Sequence, residues 1–253
     1  MRLIGQEVTQ RYRGSYLGMV WSFVTPVLML SVYAFVFSIV FQARWGELGG
    51  GVPHRGEYAL TLFAGLLAFG VFSEVVNRAP TLVLAMPNYV KKVVFPLEIL
   101  PVVALGSAVV HSLISVLILV LASLAFFGTV SVTALLLPLA YLPLVLLTAG
   151  LAWFLASLGV YVRDIGQAIV VVTQILFFLS PIFYPVSAVP ESLRPLLWMN
   201  PLSIVLDGFR RVLLWSRPLD WGPWGAVTLG AAVVALLGYA WFMQTKKGFA
   251  DVM

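Results

Sequence analysis

The chain has 253 residues, of which 61% are hydrophobic and only 10% are charged. A soluble domain carries about 25% charged residues, and a chain of this length could not bury so much apolar surface in water, so its solvent must be lipid. The same composition excludes a disordered chain, a coiled coil and a nucleic-acid-binding module, in spite of the net charge of +5. The lack of cysteine excludes disulfides, thiol nucleophiles and thiolate metal ligands.

Six apolar runs predict an all-α integral membrane protein with six transmembrane helices in a single domain, residues 1–253. The first run, Val20–Phe41, would be roughly 33 Å long as a helix, against a bilayer core of about 30 Å. It is too long for the apolar part of a signal peptide, and no small-residue cleavage site follows it, so we expect it to be retained. The other runs are Tyr58–Val76, Leu97–Phe127, Leu135–Tyr161, Gln167–Phe183 and Gly225–Met243.

The distribution of Lys and Arg predicts that both termini are cytoplasmic. Nine of these residues lie in the N-terminal segment, the second and fourth loops and the C-terminal tail, against six in the first, third and fifth loops. The fifth loop, with about 40 residues, counts for less in the positive-inside rule because it is long.

The N-terminal segment, Met1–Met19, mixes charged and apolar residues. Ile4, Val8, Tyr12 and Tyr16 recur every four residues, which is the spacing of one helical face. We expect a helix that lies in the cytoplasmic interface with its apolar face toward the lipid. The alternative is a frayed leader.

The second loop, Asn77–Pro96, predicts a short cytoplasmic helix over residues 80–90. Pro80 suits the first turn of such a helix and Pro87 limits its length. A short apolar helix outside the bilayer exposes a surface that needs a partner. The alternative is an amphipathic connector that rests on lipid.

The fifth loop, Tyr184–Trp221, is too apolar for a solvated loop, and its prolines include Pro185, Pro190, Pro195 and Pro201. The prolines separate short pieces such as Glu191–Met199 and Leu202–Trp215. Interrupted backbone at membrane depth must be buried in protein or line a wet cavity, so we expect two short re-entrant helices that dip into the outer leaflet. A cap outside the membrane is the alternative.

Few ionisable side chains offer chemistry. Glu74 and Arg78 are four residues apart and can pair at the cytoplasmic end of the second span, either as a gate or as a simple interfacial ion pair. Glu98 is expected to neutralise nearby cations, and His111 is expected to be a hydrogen-bonded structural residue. The two histidines and the scattered acidic residues suggest no set of metal ligands and no catalytic dyad, so we expect no metal or cofactor in this chain. No G-x-x-x-x-G-K-[ST] motif is present, so we also expect no ATP site of its own.

Aromatic residues form two groups that could stack against sugar rings and line a pore. The alternative is lipid contact and an interfacial belt. The candidates are Tyr33, Phe37 and Phe41 in the first span, and Phe177, Phe178, Phe183 and Tyr184 at the end of the fifth.

Several motifs follow one another from residue 11 to about residue 211 and so cover nearly the whole chain. They are RYRGSYLGMVW from Arg11 with Pro26, KKVVFPLEILP from Lys91, RDI from Arg163, SPIFYP from Ser180 with the Pro190 region, NPL from Asn200, and FR from Phe209. In this order they resemble the motifs of type-2 ABC exporter permeases of the O-antigen, capsule and teichoic-acid branch.

The resemblance implies the non-catalytic membrane subunit of an exporter in the bacterial inner membrane. It implies a homodimer, with two separate ABC ATPase subunits that bind ATP and Mg²⁺, and a polysaccharide on a polyprenyl-pyrophosphate lipid as the substrate. Four cations fall where the pyrophosphate could be neutralised: Arg11, Arg13, Lys91 and Lys92. The short cytoplasmic helix would be the coupling helix that docks on the ATPase, with Thr81, Leu84, Met86, Pro87, Asn88 and Tyr89 as candidate contacts, and the short helices after Tyr184 would form the outer gate.

Other functions remain open on the sequence. A type-2 ABC exporter of a drug or of another lipid would share most of these features. An integral membrane polyprenyl-phosphate transferase would need clustered interfacial acids, which this chain lacks. A purely structural scaffold would leave the fifth loop unexplained.

Overall fold

A computed structural model describes residues 2–11, 16–41, 45, 56–87 and 95–252, without the side chains of residues 2, 10, 11 and 251. All regular structure within these ranges is helical, in agreement with the predicted fold class.

The chain starts with the amphipathic helix α1, Arg2–Arg11, which covers the first part of the predicted interfacial helix. A single 3-10 turn, Gly18–Val20, then leads into α2, Trp21–Tyr33. The chain continues from α2 as a π-helix, Ala34–Val40. This form is rare in proteins, and where it occurs it is often found at functional sites. Together these pieces match the predicted first span.

The second long helix, α3, spans Glu57–Leu82 and differs from the prediction at Pro80. Pro80 was expected in the first turn of a separate helix, but it lies inside α3, which continues to Leu82. A proline is tolerated inside a membrane helix because neighbouring elements can satisfy the freed backbone groups. Here the helix Leu137–Tyr161 packs closely against this point: a Cβ on Gly159 would lie 2.2 Å from the Pro80 carbonyl oxygen.

Helix α4 spans Ile99–Phe127 and ends at Gly128, which has a φ of +70°. This left-handed residue ends the helix because glycine adopts positive φ without steric cost. A 3-10 turn, Val132–Leu136, leads into α5, Leu137–Tyr161. A short connection therefore joins the third and fourth long helices.

Helix α6, Ile165–Leu179, ends four residues before the predicted end of the fifth span at Phe183. Ser180 is extended, with a ψ of 145°, because the ring of the following Pro181 disfavours helical geometry there. The segment Ser180–Tyr184, called the outer loop below, is thus a separate non-helical element.

The remainder of the chain is a series of short helices and one long one. The short elements are the 3-10 turns Val186–Ala188 and Glu191–Leu193, then α7, Arg194–Met199, and α8, Pro201–Leu213. The long helix α9, Trp221–Thr245, is followed by a 3-10 turn, Lys246–Gly248, and by α10, Phe249–Val252. Two short α-helices therefore occupy the region where two re-entrant helices were predicted, and their depth in the membrane stays a prediction.

Five helices in the described ranges are long and apolar enough to cross a membrane: Gly18–Val40, Glu57–Leu82, Ile99–Phe127, Val132–Tyr161 and Trp221–Gly248. The apolar helix α6 has 15 residues, or roughly 22 Å, which is shorter than a bilayer core of about 30 Å. The number of six spans therefore stays a prediction.

Helix α3 forms the centre of the molecule, and the first membrane helix lies at its edge. In the most apolar part of α3, 78% of the residues are buried, whereas in the corresponding part of Gly18–Val40 none are. An apolar helix that its own chain covers only in part must face lipid or another protein with the rest of its surface. The exposed face of the first membrane helix is therefore available for lipid or for a partner.

The closest helix packing joins α5 to α9 through glycine. A Cβ on Gly238 would lie 2.0 Å from the Gly150 carbonyl oxygen, and a Cβ on Gly150 would lie 2.5 Å from that of Val234. Small residues let membrane helices approach until their backbones touch, and van der Waals packing then holds them together.

Candidate functional site

Five of the predicted pore aromatics come together at the end of α6. Phe183 in the outer loop lies 5.0 Å from Phe177 and 6.1 Å from Phe178, between ring centroids. From the first membrane helix, Phe37 lies 6.5 Å from Phe183, and Phe41 lies 5.9 Å from Phe37. Two residues 140 positions apart in sequence, Phe37 and Phe177, thus share one cluster.

Two further aromatic residues complete this group and were missed in the sequence. Tyr58 of α3 stacks on Phe37 with 5.3 Å between centroids, and Trp45 lies edge-on to Tyr58, also at 5.3 Å. We call these residues the aromatic cluster: Phe37, Phe41, Trp45, Tyr58, Phe177, Phe178 and Phe183. Neither Trp45 nor Tyr58 stood out in the sequence because each is one aromatic residue close to the end of a loop.

The aromatic cluster has a buried side and an open side. Trp45 and Tyr58 are buried, whereas Phe41 is 67% exposed and Phe178 is 61% exposed. On the buried side, contacts between Phe177 and Phe69 of α3 extend the line of rings toward the middle of that helix. One wall of rings is therefore fixed against α3, and the other edge is available to a ligand, to lipid or to a second subunit.

The other two predicted aromatics lie next to the cluster. Tyr33 is partly buried and packs against the core group that contains Trp45 and Tyr58. Tyr184 donates its hydroxyl to the carbonyl oxygens of Phe178 and Leu179, at 3.1 and 3.2 Å. Its hydroxyl thus satisfies carbonyls that the end of α6 leaves unpaired.

At the opposite end of α3, helix α1 is fastened to the rest of the chain by two contacts. Arg78 of α3 donates a hydrogen bond to the Glu7 carboxylate of α1. Ile4 of α1 fills a notch on α4, where a Cβ on Gly106 would lie 2.5 Å from its Cδ1 atom. Glu74, the predicted partner of Arg78, is half-buried one turn earlier on α3, and a Glu74–Arg78 gate stays a prediction.

The Glu7–Arg78 contact predicts a charge-swap rescue. We expect Glu7→Lys to raise the fraction of chains with α1 detached from α3 roughly two- to fivefold, because an exposed ion pair contributes about 0.2–1 kcal/mol and a like-charge contact replaces it. The double variant Glu7→Lys/Arg78→Glu should restore the native fraction, measured as the distance between spin labels on α1 and α3 of the purified chain. A double variant as defective as the single one would show that this pair does not fasten α1.

The described part of the predicted coupling segment is partly exposed. Thr81 and Pro87 are exposed, Leu84 is half-buried and Met86 is 37% exposed. The remaining docking candidates, Asn88 and Tyr89, and the headgroup candidates Arg13, Lys91 and Lys92 lie outside the described residues, as does the Arg11 side chain.

The C-terminal end of α9 is anchored at the same side. Lys246 Nζ lies 2.9 Å from Glu98 Oε2, just before α4 begins, so Glu98 does neutralise a cation, although one from the tail. Burial raises the pKa of Glu98, but the hydrogen bond and the charge of Lys246 outweigh this effect and leave the pKa below its usual value. Tyr161 adds a second tie, since its hydroxyl donates to the Thr245 carbonyl oxygen at 2.8 Å.

The part of the chain that the structure describes contains no candidate metal site. No group of three or more His, Cys, Asp or Glu side chains there could hold an ion. His111 Nδ1 lies 2.8 Å from the Ser107 carbonyl oxygen, which is a bond within its own helix and agrees with the predicted structural role.

Comparison with known families decides between transport and the alternative of a membrane transferase. Residues 1–214 match the family described as ABC-2 type transporter. The chain belongs to this family. Its members are membrane subunits of transporters, which agrees with the resemblance found in the sequence motifs.

Curated relatives of this chain are named for O-antigen export and for polysialic acid transport. The chain is 26% identical over 251 residues to the O-antigen export system permease protein RfbA of Myxococcus xanthus, covering 98% of this chain and 93% of that protein. It is 22% identical to the protein of the same name from Klebsiella pneumoniae, covering 99% and 93%. The polysialic acid transport protein KpsM of Escherichia coli is 21% identical over 83% of this chain and 78% of its own length.

Proposed function

We propose that the chain is the membrane-spanning subunit of an ATP-driven exporter that moves a lipid-linked polysaccharide outward from the cytoplasmic side. The observation that carries this proposal is the near full-length similarity to several proteins named for O-antigen export and one named for polysialic acid transport. The six-span topology, the cytoplasmic termini and the inner-membrane location are parts of the same proposal.

The energy must come from a separate subunit. The sequence contains no phosphate-binding loop, so ATP and Mg²⁺ are bound by an ABC ATPase that docks on the cytoplasmic face. The coupling segment over residues 80–90 begins within the last turn of α3, and α3 also carries Arg78 and packs at the centre of the molecule. A push on this segment would therefore reach the core through one continuous helix.

Two copies of the chain would enclose the path. The first membrane helix has no buried residues in its most apolar part, and α6 exposes Val171, Ile175 and Phe178. These helices also carry Phe41 and Phe178, the exposed rings of the aromatic cluster. A homodimer that paired these faces would place two aromatic clusters along one path between the subunits.

Aromatic rings suit the transport of a long polymer. Sugar rings present C–H edges that fit a π face, and such contacts hold no single sugar strongly, so the polymer can slide. A row of fixed charges would bind each charged or polar unit more tightly and would stall it. A path lined by Phe37, Phe177 and Phe183 therefore fits the proposed substrate.

The cations at the cytoplasmic interface supply the binding site for the pyrophosphate. Arg11 is the last residue of α1 and Arg13 comes two positions later, and Lys91 and Lys92 follow the coupling segment in the sequence. Lys and Arg bind phosphate oxygens through charge-assisted hydrogen bonds, and they are favoured close to an anionic membrane surface.

Reversal of charge at Lys91 and Lys92 tests this assignment. We expect Lys91→Glu/Lys92→Glu to lower export about tenfold or more with expression intact, because each lost charge-assisted bond weakens headgroup binding by about 1.5–3 kcal/mol. The measurement is the amount of polymer at the cell surface per unit of membrane-inserted protein. Reversal of Lys247, in the tail, provides the control, and unchanged export in the double variant would contradict a role in binding the headgroup or the ATPase.

Co-purification with an ATPase tests the proposed function as a whole. We expect the tagged chain to retain an ABC ATPase in mild detergent, and the turnover of that ATPase to change when the chain is present. Met86→Asp should release the ATPase without loss of the folded chain, whereas Thr9→Asp, exposed on α1, should retain it. A chain that purifies without any ATPase under these conditions would count against the proposal.

A further inference from the structure

The side chain of Arg210 on α8 is the most deeply buried cation in the described part of the chain, with an exposure of 3%. A charge at membrane depth is costly unless it is paired or hydrogen-bonded, and such residues usually have a function. The functions proposed above do not use Arg210, although it belongs to one of the motifs on which the family resemblance was based.

Three backbone carbonyl groups satisfy the guanidinium. Nη1 donates to the Pro181 oxygen at 2.7 Å and Nη2 to the Ile182 oxygen at 3.0 Å, both in the outer loop. Nε donates to the Thr61 oxygen of α3 at 3.0 Å. One side chain therefore joins α8, the outer loop and α3, and no acidic side chain takes part in these three bonds.

The surroundings of the guanidinium are shaped to hold it in place. The Trp45 ring covers it, with 4.3 Å between Arg210 Cζ and the ring centroid, which is a favourable cation–π distance. Gly65 leaves the space that Nη2 occupies, because a Cβ on residue 65 would lie 2.6 Å from that atom. A lysine could not reproduce this arrangement, since its single ammonium cannot match a planar fork of donors.

A second polar contact joins the other end of α8 to the same loop. Asn200 caps α8, accepting from the Leu202 amide at 3.0 Å, and its Nδ2 donates to Ser180 Oγ at 2.9 Å. Asn200 and Arg210 thus hold the outer loop at two points, so α8 and the loop form one unit. The bonds that tie this unit to α3 are those from Arg210 to Thr61 and from the Tyr58 hydroxyl to the Phe183 carbonyl.

We propose that Arg210 is a positioning residue that locks the outer loop, and with it Phe183 and the aromatic cluster, to α3 at the outer end of the path. Its importance for transport depends on the proposed function, because only then does the cluster line the path. Its action on the loop is a property of the chain itself. Without the fork of donors, α8 and the outer loop would separate from α3 more often, and the rings would lose their fixed wall.

The absence of cysteine allows a direct test by spin labelling. Labels at Ser187→Cys, which is exposed beyond the outer loop, and at Ala125→Cys, exposed on α4, report the distance between the loop side and the helix bundle. Purified labelled chain is diluted with an excess of unlabelled chain so that only distances within one chain are measured. Neither substrate nor ATPase is needed, so this result is independent of whether the proposed function holds.

We expect Arg210→Lys to raise the population with the longer distance roughly tenfold, the factor expected for the loss of one hydrogen bond to a charged group. Arg211→Lys is the matched control: the neighbouring arginine donates to Pro218 and faces Asp207 instead of the outer loop. The control should leave the distance distribution unchanged.

Gly65→Ala provides a second variant in case Arg210→Lys does not fold. The added methyl group displaces the flexible end of Arg210 and keeps its charge in the protein, so the longer distance should again gain population. An unchanged distribution in whichever of these variants folds would overturn the proposal. An equal shift in Arg211→Lys would also overturn it, because the effect would then not depend on the guanidinium that binds the loop.

Discussion

Gly238→Ala should lower the unfolding temperature of the purified chain by roughly 5–10 °C, because about 2–3 kcal/mol is the cost of forcing an extra group into a well-packed interior. The added Cβ would lie 2.0 Å from the Gly150 carbonyl oxygen. That atom belongs to the backbone of α5 and cannot rotate away as a side chain would. The two helices must move apart along their contact, and the packing that holds α9 to the bundle is then lost.

Gly230→Ala is the matched control for this effect. It lies on the same helix, α9, and a Cβ there meets no atom within 4 Å. Since alanine favours a helix over glycine by about 1 kcal/mol, this variant should be neutral or slightly more stable. Thermal unfolding followed by circular dichroism in detergent measures both variants. Equal unfolding temperatures would show that α5 and α9 are not in backbone contact at Gly238.

Phe183→Ala should lower export about tenfold, which corresponds to a loss of about 1.4 kcal/mol in the rate-limiting step. Phe183 contacts Phe37, Phe177 and Phe178 and so links the first membrane helix to α6. Its removal takes away one aromatic face and loosens three others. The backbone carbonyl that accepts from Tyr58 is kept, so the outer loop itself should stay in place.

Two further variants separate stacking from packing. Phe154→Ala removes the same side chain from α5, where the ring is partly exposed and faces Trp241 outside the aromatic cluster; its export should stay within about twofold of the native level, since variants that leave the transition state untouched keep their rate. Phe183→Leu keeps an apolar side chain and removes only the π face, and it should export as poorly as Phe183→Ala. Native export by Phe183→Ala would show that this ring does not contact the polymer.

The positions of the helices could be predicted from the sequence because each depends on a continuous apolar run and on local signals. The third apolar run and α4 both end at Phe127, and Pro181 explains the end of α6 once the backbone of Ser180 is known. Pro80 was misleading because a proline can either begin a helix or lie inside one. Which of the two occurs depends on the packing of α5 against Pro80. The residues around Pro80 give no information about that packing.

The candidate site could be predicted only in part. Phe37 and Phe183 were identified as separate groups, but their contact depends on the packing of distant elements. The bond from Tyr58 to the Phe183 carbonyl joins residues 125 positions apart, and that from Arg210 to Thr61 joins residues 149 apart. Arg78 shows the same limit: the sequence offered Glu74 one turn away as a partner, and the structure adds a contact with Glu7 of another helix that the sequence did not indicate.

Reconstitution of the purified chain tests the central claim most directly. Proteoliposomes that contain the chain with its ATPase, and lipid-linked polysaccharide in the leaflet on the ATPase side, would be assayed for the appearance of the polymer in the opposite leaflet. We predict movement only when the chain, the ATPase and ATP are all present, and none with an ATPase that cannot hydrolyse ATP. Movement against a gradient by the chain alone, or bond-forming chemistry by the chain without any partner, would contradict the proposal.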